Sequence, residues 1–174
     1  MIPVSKPSTD SKEIKAIEAV FSTGWLGLGS TTLEFENAIK ERIGCNHVIA
    51  VNTGTSALHL ALDSFGVSNG DEVIVPSITY VASIQAILST GAKPVFCESD
   101  EETLLMDINH VKSLITKKTK AIMPVHYAGQ SCDMDSILKI AEENELSVIE
   151  DAAHAFGSTY KSNLVGSYGD IACF

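Results

Sequence analysis

Residues 70–88, GDEVIVPSITYVASIQAIL, place an apolar strand, a polar loop and a helix in direct succession. Glu72–Val75 has the length and the apolar content of a buried strand. Pro76–Tyr80 then supplies turn residues and polar side chains. After this loop, apolar residues recur at helical spacing: Val81, Ile84, Ile87 and Leu88. Strand, loop and helix in this order form the repeating unit of a parallel α/β sheet.

The same alternation extends from residue 47 to the end of the chain. Further strands are predicted at His47–Val51, Pro94–Cys97, Ala121–Val125, Ser147–Ile149 and from Asp170 onward. Helices between them are predicted from three apolar stripes: Leu58, Ala61, Leu62 and Phe65; Ile108, Val111 and Ile115; Met134, Ile137, Leu138 and Ala141. Strands that are apolar along their whole length need cover on both faces. The predicted fold class is therefore α/β, with a mostly parallel central sheet and helices on both faces.

The first 46 residues have a different organisation. They predict an amphipathic helix at Lys12–Phe21, a glycine-rich loop at Thr23–Gly29 and a second helix at Thr32–Ile43. The loop carries Trp25, which either anchors the loop or contacts a bound molecule. We therefore divide the chain into an N-terminal helical and loop segment, residues 1–46, and a larger domain, residues 47–174.

Composition argues against several classes of function. The chain has 22 acidic and 12 basic residues and a formal net charge of −10, which opposes general nucleic-acid binding. No apolar run approaches the roughly 18 residues needed to cross a bilayer. The N-terminus also lacks the features of a signal peptide, so a cytoplasmic protein without a membrane segment is expected. The four cysteines are scattered without ligand spacing, which predicts neither a metal site nor disulfides.

Ligands of open parallel sheets bind outside the carboxyl ends of the strands, and three segments here meet that condition. The segment Asn52–Ser56 lies between a predicted strand and a predicted helix, where free backbone N–H groups can hold a phosphate. An ordinary helix N-cap is the alternative. Tyr80, after the next strand, is placed to stack on a flat cofactor. The alternative is that Tyr80 only packs at the start of its helix.

The third segment, residues 150–155, follows the strand Ser147–Ile149 and contains Asp151 and His154. An acid at the end of an apolar strand is costly unless a cationic group pairs with it. A protonated pyridine nitrogen would suit Asp151; a salt bridge or a helix cap is the alternative. His154 either faces the same ligand or is a hydrogen-bonded core histidine.

These segments, in this order, resemble the DegT/DnrJ-type sugar aminotransferases, which are pyridoxal 5'-phosphate (PLP) enzymes with the aspartate-aminotransferase fold, PLP fold type I. The resemblance runs the length of the chain. It is carried by Lys6-Pro7, Thr23–Leu26, Val51–Leu58, Gly70–Ser77, Pro124–Gln130 and Ile149–Gly157.

The resemblance implies a role for each residue selected above. The backbone at Gly54 and Thr55 would hold the cofactor phosphate, and Tyr80 would stack on the ring. Asp151 would pair with the pyridinium nitrogen and His154 would lie near the ring hydroxyl. The implied cofactor is PLP or its amino form, pyridoxamine 5'-phosphate (PMP).

The resemblance also implies substrates and partners. Trp25 and its glycine-rich loop, together with His126, would line the side on which a nucleotide-linked keto-sugar binds. The amino donor would be glutamate, the product an amino sugar for surface polysaccharide, and the complete enzyme a homodimer.

One departure concerns the lysine that carries PLP as a Schiff base. By the family's spacing it would lie roughly six residues beyond Phe174, and no lysine follows Lys161 here. The C-terminal small domain would also lie outside these residues, so this chain alone is expected to be inactive. Two alternatives stay open. One is a PMP-dependent sugar dehydratase with histidine in place of that lysine, and the other is a non-catalytic remnant that only dimerises or binds cofactor.

Overall fold

A computed structural model describes residues 7–174, so Lys6 of the Lys6-Pro7 motif lies outside the described residues. The chain forms two compact units, one ending at Ala50 and the other comprising Val51–Phe174. Within the described range, no helix combines the length and the apolar character needed to cross a membrane.

The N-terminal unit contains two helices, α1 at Ser11–Ser22 and α2 at Ser30–Ile43. A capping box starts α1. The Asp10 side chain accepts a hydrogen bond from the backbone of Glu13, and the Glu13 side chain accepts one from the backbone of Asp10. Gly44, with a φ of 79°, ends α2 in the left-handed conformation that glycine adopts at low cost. Both predicted helices are confirmed, with small shifts at their ends.

The second unit is built on a five-stranded parallel sheet with the strand order β2-β1-β3-β4-β7. Its strands are β1 at Glu72–Pro76, β2 at Lys93–Cys97, β3 at Thr119–Ile122, β4 at Ser147–Asp151 and β7 at Ile171–Cys173. A short antiparallel hairpin, β5 at Thr159–Tyr160 and β6 at Asn163–Leu164, lies between β4 and β7 in the chain. The predicted mostly parallel sheet is confirmed.

Helices cover both faces of this sheet. They are α3 at Gly54–Ser64, α4 at Val81–Ser89, α5 at Ile108–Leu114 and α6 at Met134–Glu143. On one face, α3 and α4 enclose a core that includes Val73, Val75 and Ile149. On the other, α5 and α6 enclose a core that includes Ile74 and Val148. Neighbouring strand residues point to opposite faces, which is why the strands are apolar throughout.

The prediction of a strand at His47–Val51 is wrong. Within residues 7–174 no strand pairs with this segment, and its Ile49 side chain is 80% exposed. Backbone N–H and C=O groups form a strand only when a neighbouring strand bonds to them. The Ala50 N–H instead donates to the Glu36 carboxylate at 2.8 Å. The predicted strand Ala121–Val125 is also shorter than expected, since β3 ends at Ile122 before Pro124, which has no N–H to donate.

The buried face of α4 differs from the predicted apolar stripe. Val81 and Leu88 are about half exposed, whereas the buried residues are Ala82, Ser83, Ala86 and Ile87. Small side chains on that face let α4 pack closely against α3. The helix itself is confirmed, but its orientation places a serine in the interior.

Candidate functional site

The carboxyl ends of β1 and β4 open into a cavity of about 210 Å³. Its wall includes all five residues predicted for a cofactor, together with His126: Gly54, Thr55, Tyr80, His126, Asp151 and His154. Four segments that are remote in sequence therefore meet at one place. Within the described chain, no group of three or more metal-binding side chains is found.

One wall of the cavity is the N-terminus of α3. Thr53 caps this helix, since its side-chain oxygen accepts the Ser56 N–H at 3.0 Å. In the described part of the chain, the N–H groups of Gly54 and Thr55 have no acceptor. The N-cap alternative and the phosphate prediction are thus compatible, because the cap belongs to Thr53 and the two N–H groups after it stay available.

Tyr80 lies at the rim of the cavity, directly before α4. Its side chain is 72% exposed, so it does not simply pack at the start of its helix. A phenol ring in this position offers an open aromatic face to a flat ligand.

Asp151 ends β4 and is only 6% exposed. Its Oδ2 accepts the Ser83 hydroxyl hydrogen at 2.7 Å, and its Oδ1 accepts the Ala153 N–H at 3.3 Å. Among residues 7–174, no Lys, Arg or His side chain forms an ion pair with it. The salt-bridge and helix-cap alternatives are therefore not found. A nearly buried carboxylate at a cavity, without a cation beside it, suits a protonated ring nitrogen.

His154 is exposed at the cavity, and its ring centre lies 6.3 Å from that of Tyr127. It is not the buried core histidine of the alternative interpretation. Together, the helix N-terminus, the open tyrosine ring and the lone carboxylate suit a flat ligand with a phosphate and a protonated ring nitrogen.

His126 is a buried member of the cavity wall. It lines the cavity, but its side chain has no exposed area and both ring nitrogens have partners within the protein. Nδ1 accepts the Cys132 N–H at 3.1 Å, so Nε2 carries the proton and donates it to Glu150 at 3.0 Å. The His126 ring nitrogens are therefore already bonded within the protein, and the predicted place of His126 on the substrate side stays a prediction.

Glu150 is a buried polar residue that sequence reasoning missed. Besides the His126 proton, its carboxylate accepts the N–H groups of Gly166 at 3.1 Å, Tyr168 at 3.2 Å and Gly169 at 2.7 Å. Burial raises the pKa of Glu150, but the hydrogen bonds from His126 and Gly169 outweigh it and lower that pKa below its ordinary value. The available signal was a second acid beside Asp151 in an otherwise apolar strand.

The Trp25 loop belongs to the N-terminal unit. The indole Nε1 donates to the Leu28 carbonyl at 2.8 Å, and a Cβ at Gly29 would lie 2.9 Å from the indole ring. The ring therefore anchors its own loop, which requires glycine at that position. Trp25 is nevertheless 64% exposed, so its predicted contact with a substrate stays a prediction.

Sequence comparison identifies the family. The model of the DegT/DnrJ/EryC1/StrS aminotransferase family matches residues 7–174. The chain belongs to the DegT/DnrJ/EryC1/StrS aminotransferase family. This DegT-family chain is 47% identical over 174 residues to the GDP-perosamine synthase of Escherichia coli O157:H7, covering 99% of the chain and 48% of the relative. It is 43% identical to the spore coat polysaccharide biosynthesis protein SpsC of Bacillus subtilis, covering 99% and 44%.

Solved structures give the same assignment. An aminotransferase from Psychrobacter cryohalolentis superposes with a TM-score of 0.94 at 39% identity, covering 98% of this DegT-family chain and 44% of that one. Spr1654 from Streptococcus pneumoniae, described as a candidate sugar aminotransferase and solved in its PLP form, gives 0.95 at 34% identity, covering 98% and 47%. It was also solved in a PMP form, so the predicted cofactors are those of this relative. The aminotransferase fold prediction is confirmed. The chain spans about half the length of the curated relatives it matches.

Proposed function

We propose that this chain forms the cofactor-binding part of a PLP-dependent aminotransferase that converts a nucleotide-linked keto-sugar into an amino sugar. The observation that carries the proposal is Asp151, a nearly buried carboxylate that lines the cavity and forms no ion pair with a Lys, Arg or His among residues 7–174. Family membership supports the same reaction class.

Each cavity residue has a task in binding this cofactor. The Gly54 and Thr55 N–H groups donate to its phosphate, where the positive end of the α3 dipole adds attraction. Tyr80 covers one face of the ring. Asp151 would accept a hydrogen bond from the protonated ring nitrogen, and His154 would lie near the ring hydroxyl.

When bound, PLP supplies an electron sink for the charge that develops when a substrate C–H bond is broken. The protein's part is to keep the ring nitrogen protonated, and the Asp151 carboxylate does this by holding that proton in a charge-assisted hydrogen bond. Because Asp151 is nearly buried, water competes little for its oxygens.

The names of relatives support the proposed substrates. They include GDP-perosamine synthases and, at 40% identity, the UDP-4-amino-4-deoxy-L-arabinose–oxoglutarate aminotransferase of Shewanella sediminis. An oxoglutarate partner corresponds to glutamate as the amino donor. The name of SpsC supports a role in surface polysaccharide synthesis. The proposal includes four further parts. The complete enzyme is a homodimer in the cytoplasm, the Trp25 loop contributes to its substrate side, and the lysine that carries PLP lies outside these residues.

Substitution of Asp151 by Asn tests this function. Asn keeps the shape but removes the charge, so PLP binding should weaken by about 10- to 150-fold, equivalent to about 1.5–3 kcal/mol. Fluorescence titration of the protein with PLP measures the affinity, and chemical denaturation measures the stability of the cofactor-free protein.

Asp63→Asn, an exposed carboxylate on α3, is the matched control and should leave PLP affinity unchanged. Absence of saturable PLP binding by the unsubstituted protein would refute the proposal. So would a loss of stability in Asp151→Asn that is equal with and without PLP while affinity stays normal, since Asp151 would then be structural.

A further inference from the structure

A chain of two hydroxyl groups lies behind Asp151. Ser83, in the first turn of α4, has no exposed area, and its Oγ lies 2.7 Å from the Asp151 Oδ2. Thr79 Oγ1 lies 2.7 Å from the same Ser83 oxygen. Thr79 lines the cavity, so these two hydroxyl groups connect the cavity wall to the Asp151 carboxylate.

The direction of these hydrogen bonds follows from the chemistry of the groups. An ionised carboxylate only accepts, so Ser83 donates its single proton to Asp151. Thr79 must then donate to Ser83, at 2.7 Å, in preference to the Tyr80 carbonyl at 3.3 Å. Both hydroxyl dipoles therefore point toward the carboxylate.

The Ser83 hydroxyl is not needed for the packing of α4. Its buried neighbours on α4, Ala82 and Ala86, show that an alanine would serve for packing on this face. A buried hydroxyl is costly unless it is bonded, and here its acceptor is Asp151, which lines the cavity. The Ser83 hydroxyl on α4 bonds to the Asp151 Oδ2. The Asp151 Oδ1 accepts the longer hydrogen bond from the Ala153 N–H, at 3.3 Å, and stays available to a ligand.

We propose that Ser83 is a positioning residue that fixes the Asp151 carboxylate for the protonated aromatic nitrogen of the cofactor, with Thr79 supporting Ser83. The inference rests on the proposed function, because it needs a ligand that pairs with Asp151. Ser83 itself acts only through that carboxylate.

A double-mutant cycle on the protein separates positioning from packing. We compare the PLP dissociation constants of the unsubstituted protein, Ser83→Ala, Asp151→Asn and the double variant, and the unfolding of each without PLP. Ser83→Ala alone should weaken PLP binding by about three- to tenfold, as expected for one hydrogen bond. In the Asp151→Asn background the same change should have almost no effect on affinity, since the charge that Ser83 positions is gone.

Ser89→Ala is the matched control, because Ser89 is exposed on the same helix and its hydroxyl bonds only to the Gln85 carbonyl, at 2.8 Å. It should leave PLP affinity unchanged. If Ser83→Ala does not fold, Thr79→Val and Thr79→Ser replace it: Val removes the hydroxyl at similar shape and should weaken binding, while Ser should retain it.

The outcomes distinguish the two proposals. An equal loss of affinity from Ser83→Ala in both backgrounds, or a loss of stability with unchanged affinity, overturns the positioning role while the effect of Asp151→Asn still supports the cofactor site. If the Thr79 variants are used, equal PLP affinities of Thr79→Val and Thr79→Ser overturn the positioning role. Absence of PLP binding by the unsubstituted protein overturns both proposals together.

Discussion

Asp151 and Glu150 are adjacent acids in β4 with different surroundings. Asp151 keeps one oxygen available at the cavity, whereas the Glu150 carboxylate accepts hydrogen bonds from four donors. Strand alternation explains the difference, because neighbouring side chains leave the sheet on opposite faces. The loop that Glu150 binds approaches β4 so closely that a Cβ at Gly169 would lie 2.8 Å from the Val148 carbonyl oxygen. Glu150 therefore fixes the loop that leads into β7.

Glu150→Gln should destabilise the protein. An amide nitrogen in place of one oxygen would face N–H donors, leaving buried groups unpaired and lowering the free energy of unfolding by about 1–3 kcal/mol at neutral pH. Because the folded-state pKa of Glu150 is lowered, its contribution is present above the unfolded pKa and lost as pH falls through the folded value. The difference between the two proteins should therefore shrink as pH falls below about 4.3, the ordinary value for Glu.

Denaturant unfolding at neutral and acidic pH measures this difference. Glu142→Gln, at an exposed position on α6, is the control and should change stability little at either pH. A difference that stays constant down to acidic pH would contradict the role given to the Glu150 charge.

Residue spacing predicted which side chains would lie close together, whereas their roles stay predictions. Gly54, Thr55, Tyr80, Asp151 and His154 line one cavity, because the carboxyl ends of parallel strands share one edge of a sheet. Ser83 was not predicted, because its partner lies 68 residues away and nothing local to a helix indicates such a contact. The partner of the His126 Nε2, Glu150, likewise lies 24 residues away in the sequence.

At the scale of elements, strand and helix order was predictable and pairing was not. His47–Val51 is apolar enough for a strand but has no paired neighbour in the described chain. The stripe predicted for α4 was wrong in orientation because small residues, which carry little hydrophobic signal, occupy its buried face. Local patterns give the type of an element, whereas its partners come from tertiary packing.

The N-terminus of α3 allows a test of phosphate binding that keeps the fold intact. Thr53→Asn and Thr53→Asp both retain a side-chain acceptor for the Ser56 N–H, so both should cap α3 normally. Only Asp adds a negative charge beside the Gly54 and Thr55 N–H groups. PLP binding should therefore weaken in Thr53→Asp by roughly fivefold relative to Thr53→Asn, equivalent to about 1 kcal/mol.

Pyridoxal, which lacks the phosphate, provides the comparison ligand in the same titrations. Its affinity should be similar in the Asn and Asp variants. Equal affinity of both variants for PLP would place the phosphate elsewhere, and an equal loss for PLP and pyridoxal would indicate a general disturbance of the cavity.

At the scale of the whole molecule, the positions of the lysines matter for the chemistry. No lysine is among the described residues that line the cavity. Lys161, the last lysine in the sequence, is exposed in the turn of the β5–β6 hairpin and pairs with Asp135. Its pKa is raised by the hydrogen bond to Asp135, which favours the protonated amine over the nucleophilic form. Among the described residues, those that line the cavity therefore include no amine that could bond a cofactor covalently.

We accordingly expect these 174 residues to bind PLP reversibly and without a covalent link. Borohydride reduction of the PLP-saturated protein, followed by mass spectrometry, should show only scattered, substoichiometric addition to surface lysines. The same low level should appear in Asp151→Asn, because surface addition does not depend on the cavity, whereas the affinity of that variant for PLP should be lower. A single stoichiometric adduct on one lysine, absent from Asp151→Asn, would show that a lysine reaches the cavity. That lysine would then be a nucleophile within the chain itself, and the arrangement of the cavity described above would have to change to admit it.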